Sequence, residues 1–332
     1  MKKLRFTYAI RAMQESRGAA MSPETIMWVA FGLMVSVVLF IDLGLNRKSH
    51  VVSFREAAGW SLLWFTLALL FDLGIWLTMG SQKALEFLTG YLIEQSLSVD
   101  NLFVFIMIFT VFGVRGELQA RVLKWGILGA IVLRLLFIFI GSALLKEFQW
   151  LFYIFGILLL YTAWKMAFGE DEEMEPDKNP LVRCARRMLP MTKKIRGDWF
   201  FTRRLGLWVS SPLFMVLLVV ESSDVVFALD SIPAIFAITL DPFIVLTSNI
   251  FAIMGLRSLF FLLSNLMGMF AYLKFGISFI LAFVGLKMIL MMTGVHIPIA
   301  LSLAVIVLTL AAAVVVSVLV RKPEDGELPE SV

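Results

Sequence analysis

Long apolar segments separated by short polar breaks run through most of this chain. A helix needs about 20 mostly apolar residues to cross the hydrocarbon core of a bilayer. Cutting the chain at charged, proline-rich or glycine-rich breaks leaves nine such segments: 26–45, 57–79, 84–112, 123–145, 148–168, 207–232, 242–263, 272–292 and 297–320. The pattern therefore predicts an all-α polytopic membrane protein, embedded in a lipid bilayer, with about nine transmembrane helices.

The composition excludes several classes of protein. Of the 332 residues, 60% are hydrophobic and 16% are charged, whereas an average soluble domain has about 25% charged residues. A water-soluble protein is thereby excluded. One cysteine, Cys184, and two histidines, His50 and His296, exclude an internal disulfide, a thiolate metal cage and a histidine-rich site. Any bound metal must use oxygen ligands, and the net charge of +4 gives no support to nucleic-acid binding.

The basic residues predict an orientation in the membrane. Placing the long charged loop 169–206 in the cytoplasm puts most basic residues of the other loops on the same side. They are Arg47, Lys48, Arg55, Arg115, Arg121, Lys124, Arg321 and Lys322. Only the basic N-terminal arm, residues 1–25, disagrees. We expect a protein of the cytoplasmic (inner) membrane, with its N-terminus outside and its polar tail, residues 321–332, in the cytoplasm.

The charged loop has two parts. Its acidic run, 170–177, is interpreted as a hydrated linker, although such runs can also gather cations. Between positions 181 and 189 the apolar residues fall near one helical face with arginines opposite. This arrangement suits a short helix on the cytoplasmic leaflet.

Two parts of the chain carry the same short words in the same order. LIEQSLSVDNLFVF and VVESSDVVFALDSIPAIF match once a three-residue insertion is allowed in the second. GAIVLRLLF and AIMGLRSLFF follow, and then FGILLLYTAWKM and FGISFILAFVGLKM. A unit of three helices is odd, so its second copy enters the membrane from the other side. We expect an inverted repeat of 84–168 and 207–292, with peripheral helices in 26–79 and 297–320.

Charged residues inside these segments suggest the function. An isolated carboxylate at the centre of a spanning helix costs about 2.5–3.5 kcal/mol, so the acids must face the protein interior. Two arginines are their expected charge partners, and five ionised carboxylates would then leave a formal charge of −3. A divalent cation together with one proton would remove it, which is a basis for exchanging metal against protons. The alternative is that the charges pair and hold the bundle together. The residues are Glu94, Asp100, Glu221, Asp224 and Asp230, with Arg134 and Arg257.

Helical geometry limits how these acids combine. Glu221 and Asp230 lie on nearly opposite faces of an unbroken helix, so one site uses both only where the helix unwinds. Pro233 and the neighbouring serines favour unwound turns with exposed carbonyl groups. Asp224 is expected either to release a proton when metal enters or to pair with an arginine. Additional ligands are expected from Asn101, Ser231 and Asn249.

Oxygen ligands restrict the choice of ion. Carboxylate, amide, hydroxyl and carbonyl oxygens suit magnesium, calcium or manganese, whereas zinc, copper and nickel sites usually include sulfur or imidazole. This chemistry does not distinguish among magnesium, calcium and manganese. For Asn249, an interhelical hydrogen bond is the alternative to a role as a ligand.

Several segments of the sequence resemble those of a known family. FLTGYLIEQSLSVDNLFVF, GAIVLR, LVVESSDVVFALDSIPAIFAITLDPFIVLTSNIFAIMGLR and KFG...GLKM closely resemble the TerC family of integral membrane proteins, in particular its Alx-type branch. The resemblance implies a manganese(II) exporter whose paired acidic motifs fall on Glu94 and Asp100 and on Glu221, Asp224 and Asp230. The family is named for an association with tellurium resistance, but an acid-rich interior repels a tellurite anion.

Two other classes of function are alternatives to a transporter. An intramembrane aspartyl protease needs a Gly-x-Gly-Asp-like setting that is missing from the sequence, so an enzyme is not expected. A membrane scaffold or sensor that supplies metal to exported partner proteins, without transporting it, remains the alternative to a transporter.

Overall fold

The structure is a computed structural model that describes residues 23–44, 53–114, 116–169, 199–204, 207–264 and 272–319. These ranges contain nine α-helices and one β-hairpin. The helices are α1 (Pro23–Gly44), α2 (Phe54–Met79), α3 (Ser81–Val111), α4 (Gly116–Glu147), α5 (Leu151–Phe168), α6 (Pro212–Phe236), α7 (Pro242–Ser264), α8 (Leu273–Met292) and α9 (Ile299–Leu319). The all-α polytopic class predicted from the sequence is confirmed.

Eight helices, α2 to α9, are long and apolar enough to cross a membrane. In α1 the stretch Glu24–Val38 is apolar as well. Large apolar side chains on α2, α5 and α9 are exposed, among them Leu77, Trp164 and Leu308. Since apolar side chains of this size avoid water, these faces are the lipid-facing surface of a multi-pass integral membrane protein.

The chain before α6 differs from the prediction. A helix was expected from residue 207, but Leu207–Ser210 forms strand β2, which pairs antiparallel with β1, Phe201–Arg204. The helix begins at Pro212, whose missing N–H group and restricted φ suit the first turn of a helix. The expected short helix at 181–189, residues 1–22 of the arm and the tail 321–332 lie outside the described residues.

The contacts between helices keep their pattern when the two three-helix units predicted from the sequence are exchanged. In the predicted repeat, α3, α4 and α5 correspond to α6, α7 and α8. The contact of α3 with α7 therefore corresponds to the contact of α6 with α4, and both contacts are present. The equivalent pairs α3 and α6, α4 and α7, and α5 and α8 also pack against each other. The two three-helix units therefore enclose a shared interior, into which most side chains of α7 are buried.

Two glycines mark a close approach between the backbones of the two units. A methyl group added at Gly156 of α5 would lie 2.9 Å from the carbonyl oxygen of Gly285 of α8, and one added at Gly285 would lie 2.9 Å from the carbonyl oxygen of Gly156. Small residues that let backbones approach in this way are typical of membrane helix interfaces. The contact holds α5 and α8 together beside the polar interior.

Candidate functional site

Arg134 is the centre of a buried polar group in the interior of the bundle. Its side chain, on α4, is 1% exposed. Its Nη1 donates to the carboxylate of Glu94, on α3, which is fully buried. Its Nη2 lies 3.7 Å from a carboxylate oxygen of Asp224, on α6. One guanidinium thus contacts two carboxylates from two other helices, and the three groups have a formal charge of −1 when all are ionised.

Asn249 of α7 connects the same two charged partners. Its amide oxygen accepts a hydrogen bond of 3.0 Å from Nη1 of Arg134, and its amide nitrogen donates one of 3.0 Å to the second oxygen of Glu94. The side chain is fully buried. Asn249 therefore makes the interhelical hydrogen bonds that the sequence left as the alternative, and its amide oxygen faces the charged groups.

Two residues of α6 reach this group because they share a helical face. Asp224 and Ser231 are seven positions apart, which returns to nearly the same side of an α-helix. Nη1 of Arg134 lies 3.3 Å from the hydroxyl oxygen of Ser231. We call Glu94, Arg134, Asp224, Ser231 and Asn249 the Arg134 cluster.

One oxygen in the Arg134 cluster is unsatisfied. Asp224 is 4% exposed, and its Oδ2 has no hydrogen-bond partner among the residues that the structure describes. Nε of Arg134 is also buried without a partner there. Buried polar atoms are nearly always hydrogen-bonded, so an unsatisfied carboxylate oxygen indicates a position for a cation, a proton or a water molecule.

Glu221 lies one turn before Asp224 on α6 and is partly buried. Its carboxylate fills the space above Gly129 of α4, where a methyl group would overlap both carboxylate oxygens. A methyl group at Gly126 would lie 3.8 Å from the same carboxylate. The two glycines of the word WGILGA therefore make room for an acidic side chain beside the Arg134 cluster, a signal that was visible in the sequence but not used.

Asp230 faces another part of the bundle. Its carboxylate accepts a hydrogen bond of 3.0 Å from the hydroxyl group of Thr162, on α5. The expected unwound turns are wrong, because α3 is continuous from Ser81 to Val111 and α6 from Pro212 to Phe236, with Pro233 inside the helix. Pro233 has no N–H group to donate to the carbonyl group one turn before it, and α6 ends three residues later, at Phe236.

The structure consequently does not gather all five predicted acids at one point. Among the residues that it describes, no three histidine, cysteine, aspartate or glutamate side chains converge on one position. Glu94 and Asp224 meet at Arg134, Glu221 lies beside them, and Asp230 contacts α5. The side chain of Asp100 lies outside the described set.

Two further predicted residues lie elsewhere on the helices of the Arg134 cluster. Asn101, on α3, is 4% exposed and lies about two turns after Glu94. Arg257, predicted as the second charge partner, is partly buried on α7 about two turns after Asn249.

A second polar network was missed by the sequence analysis. Nζ of Lys83 lies 3.1 Å from Glu86 on α3 and 2.7 Å from Asp241, which precedes α7. The hydroxyl group of Thr239 donates to Glu86 at 2.7 Å. These residues were overlooked because they lie at helix ends, where charges are common. They join the start of α3 to the turn between α6 and α7.

An acid on α2 was also missed. Asp72 lies in an apolar groove of about 400 Å³ between α2 and α3, lined by Leu73, Trp76 and Leu88 among others. One oxygen of its carboxylate is buried and has no hydrogen-bond partner among the described residues. Asp72 lies outside the two sequence repeats, so the repeat gave no signal for this acid.

Comparison with known proteins identifies the family of this membrane bundle. The model of the integral membrane protein TerC family matches residues 79–325. The chain belongs to the TerC family. The matched range contains the whole Arg134 cluster, Glu221 and Asp230, whereas α1 and nearly all of α2 precede it.

Relatives of this TerC protein align over most of its length. It is 52% identical over 263 residues to an uncharacterized membrane protein of Myxococcus xanthus, covering 79% of this chain and 82% of that protein. It is 50% identical over 283 residues, 82% of this chain and 88% of the relative, to proteins of Salmonella typhi and Escherichia coli (strain K12). Both of these are called Alx and are described as candidate membrane-bound redox modulators. No solved structure matches the chain.

Proposed function

We propose that this TerC protein is a divalent metal cation transporter whose substrate is manganese(II), which it moves out of the cytoplasm across the cytoplasmic membrane. The observation that supports the proposal is the buried carboxylate pair of Glu94 and Asp224 in the interior of a membrane bundle, with one oxygen of Asp224 unsatisfied. Charges at such depth are costly unless they have a function or are fully paired. Here the pairing is incomplete.

The oxygen types around the pair fit a hard cation. Two carboxylates, the amide oxygen of Asn249 and the hydroxyl group of Ser231 all face Arg134. Such ligands suit manganese, magnesium or calcium, and the resemblance to manganese exporters favours manganese among them. The proposed role is transport and includes no catalytic residue.

Glu221 and Asp230 extend the acidic interior on two sides of the Arg134 cluster. Glu221 lies one turn from Asp224 toward the start of α6, and Asp230 lies toward its end. A cation moving along α6 would meet Glu221 and Asp224 near α4 and would reach Asp230 only on the opposite side of α6, at its contact with α5. We propose that Glu221 and Asp230 are transient ligands on the path, and that Asp100 serves the first repeat in the same way.

Protons are the proposed counter-ion. Glu94 and Asp224 share one guanidinium, so a proton on one carboxylate neutralises the metal-free site, and an entering dication displaces it. Asp224 is the better candidate for carrying this proton because its ion pair with Arg134 is longer than that of Glu94. Metal movement in one direction would then produce an opposite movement of protons.

A scaffold or sensor that delivers metal to exported proteins is the competing proposal. The description of the Alx relatives raises a redox role, but one cysteine, Cys184, provides no intrachain dithiol in this chain. A buried acidic site serves either a transporter or a sensor. Flux measured with the purified protein alone separates them.

The experiment uses liposomes that contain only this protein, with manganese(II) outside and a manganese-sensitive dye inside. We expect uptake above that of protein-free liposomes, and we expect Glu94→Gln to abolish it. Glu117→Gln is the matched control, because Glu117 is exposed in the first turn of α4. Wild-type protein that is folded yet produces no flux would reject transport and favour the scaffold.

A further inference from the structure

Arg134 holds the positions that a metal ion in the Arg134 cluster would need. Its Nη1 donates to Glu94 and its Nη2 faces Asp224, so both carboxylates are directed at a guanidinium. A dication bound between the same carboxylates would be repelled by a guanidinium at that distance, since buried like charges interact strongly. The bound metal and the present position of Arg134 therefore exclude each other.

We propose that Arg134 is a tethered counter-cation, which occupies the carboxylate site when no metal is bound and moves aside when manganese(II) binds. This inference rests on the proposed transport function. It assigns Arg134 a positioning role in the transport cycle, in contrast to the fixed structural ion pair that a buried arginine with two acids would otherwise represent.

The surroundings of Arg134 suit a side chain that exchanges partners. Nη1 also lies 3.0 Å from the amide oxygen of Asn249 and 3.3 Å from the hydroxyl oxygen of Ser231. Once a metal has taken the carboxylates, whichever of these two neutral oxygens does not ligate it can accept a hydrogen bond from the displaced guanidinium. A guanidinium has five N–H donors, so neutral acceptors beside the carboxylates allow it to change partners while it stays buried.

The ion pairing of Arg134 is also incomplete. Its Nε has no partner among the described residues, Oδ2 of Asp224 has none, and Nη2 is 3.7 Å from Asp224. A buried pair that serves only stability requires satisfied donors and acceptors, because unsatisfied ones cost free energy. Moving Arg134 away from Asp224 therefore breaks only a long ion pair and no short hydrogen bond to Asp224.

The proposal has a specific consequence for the transport cycle. A transporter that returns without metal must carry its empty site through the membrane interior, and two uncompensated carboxylates would oppose that step. Arg134, together with a proton on one carboxylate, neutralises the empty site for the return. Exchange of one metal ion for another needs no empty return, so it does not need Arg134.

The test measures two rates in liposomes that contain the purified protein. Net flux is measured with manganese(II) on one side only, and exchange is measured as radioactive manganese moving against unlabelled manganese on both sides. We expect Arg134→Gln to slow net flux by about a hundredfold or more, because an uncompensated buried charge raises a barrier of that order. Exchange should stay within about tenfold of the wild-type rate, with binding of manganese equal or tighter by electron paramagnetic resonance.

Two controls keep the result interpretable. Lys146→Gln removes an exposed positive charge from the end of the same helix and should change neither rate. Arg134→Lys retains the positive charge, so we expect the ratio of net flux to exchange to stay near that of the wild type. If Arg134→Gln does not fold, this ratio in Arg134→Lys decides, and a folded lysine variant that loses exchange together with net flux contradicts the proposal.

The remaining outcomes are also decisive. Equal loss of exchange, net flux and binding in folded Arg134→Gln would show that the arginine acts structurally and would overturn the proposal, as would full retention of net flux. A wild-type protein without flux or exchange would instead reject the transport function on which the proposal rests.

Discussion

Glu221 and Asp230 lie on opposite sides of one unbroken helix, α6. The carboxylate of Glu221 rests over Gly129 of α4, whereas the carboxylate of Asp230 accepts a hydrogen bond from Thr162 of α5. Nine positions along an α-helix correspond to a rotation of about 180° from the starting face. The two acids consequently serve different interfaces, and the acidic interior extends along α6.

The space above Gly129 is required for Glu221. Gly129→Ala places a methyl group where both oxygens of Glu221 now lie, so the carboxylate must move away from the Arg134 cluster. We expect manganese flux in liposomes to fall by about tenfold or more, as expected for a misplaced ligand group. Gly59→Ala is the control, because no atom lies within 4 Å of a methyl group there. Unchanged flux in Gly129→Ala would remove Glu221 from the path.

Asp230 should matter for flux but not for binding at the Arg134 cluster. Asp230→Asn removes a charge that faces α5, so we expect net flux to be abolished while manganese binding, measured by electron paramagnetic resonance, is retained. Thr162→Val keeps the carboxylate and removes only its hydrogen-bond donor, and it should reduce flux less. Wild-type flux in Asp230→Asn would show that Asp230 is a structural acceptor for Thr162.

The oxygen ligands predict selectivity. The site offers no sulfur or imidazole ligand, since its members are Glu94, Asp224, Asn249 and Ser231. Zinc and copper sites usually include such ligands, so we expect this site to select manganese over zinc and copper. Competition of each metal against radioactive manganese in liposomes measures the preference. Displacement of manganese by zinc at far lower concentration would contradict a site made only of these oxygens.

The contact between Gly156 and Gly285 should be sensitive to a single methyl group. Gly285→Ala would bring its methyl carbon to 2.9 Å from the carbonyl oxygen of Gly156, so α5 and α8 must separate. We expect a loss of about 1–3 kcal/mol in stability, seen as a lower unfolding temperature in detergent. Gly32→Ala, which meets no atom within 4 Å, should have little effect. Equal unfolding temperatures of the two variants would show that α5 and α8 can separate without a loss of stability.

The single cysteine allows a direct test of orientation. Cys184 lies in the loop 169–206, which the distribution of basic residues predicts to be cytoplasmic. A membrane-impermeant maleimide should label it in inside-out vesicles and not in intact spheroplasts. Ser16→Cys in a Cys184→Ser background should show the opposite pattern. Labelling of both positions from the same side would contradict an odd number of membrane crossings between them, which α1 to α5 are predicted to make.

Local properties of the chain were predictable from the sequence. Helix length and apolar composition determine which segments span a bilayer, so the predicted segments agree with α2 to α9 to within a few residues at most ends. The placement of Glu221 and Asp230 on opposite faces follows from helical periodicity alone. The inward position of Glu94 follows from the cost of a carboxylate in lipid. The strand Leu207–Ser210 was missed because an apolar run beside a helix has the same composition in either structure.

Tertiary structure alone decided which groups meet. Nothing local distinguishes Arg134 from Arg257 as the partner of Glu94 and Asp224, and nothing local directs Asp230 to Thr162. Glu94 and Asn249 are 155 residues apart, and their contact depends on how α3 and α7 are rotated and crossed in the bundle. Those rotations are set by packing at small residues such as Gly129 and Gly156, where a backbone or a carboxylate fits only because a side chain is missing. The sequence by itself determined the membrane helices and the inward-facing acids, and the packing of those helices determined the Arg134 cluster.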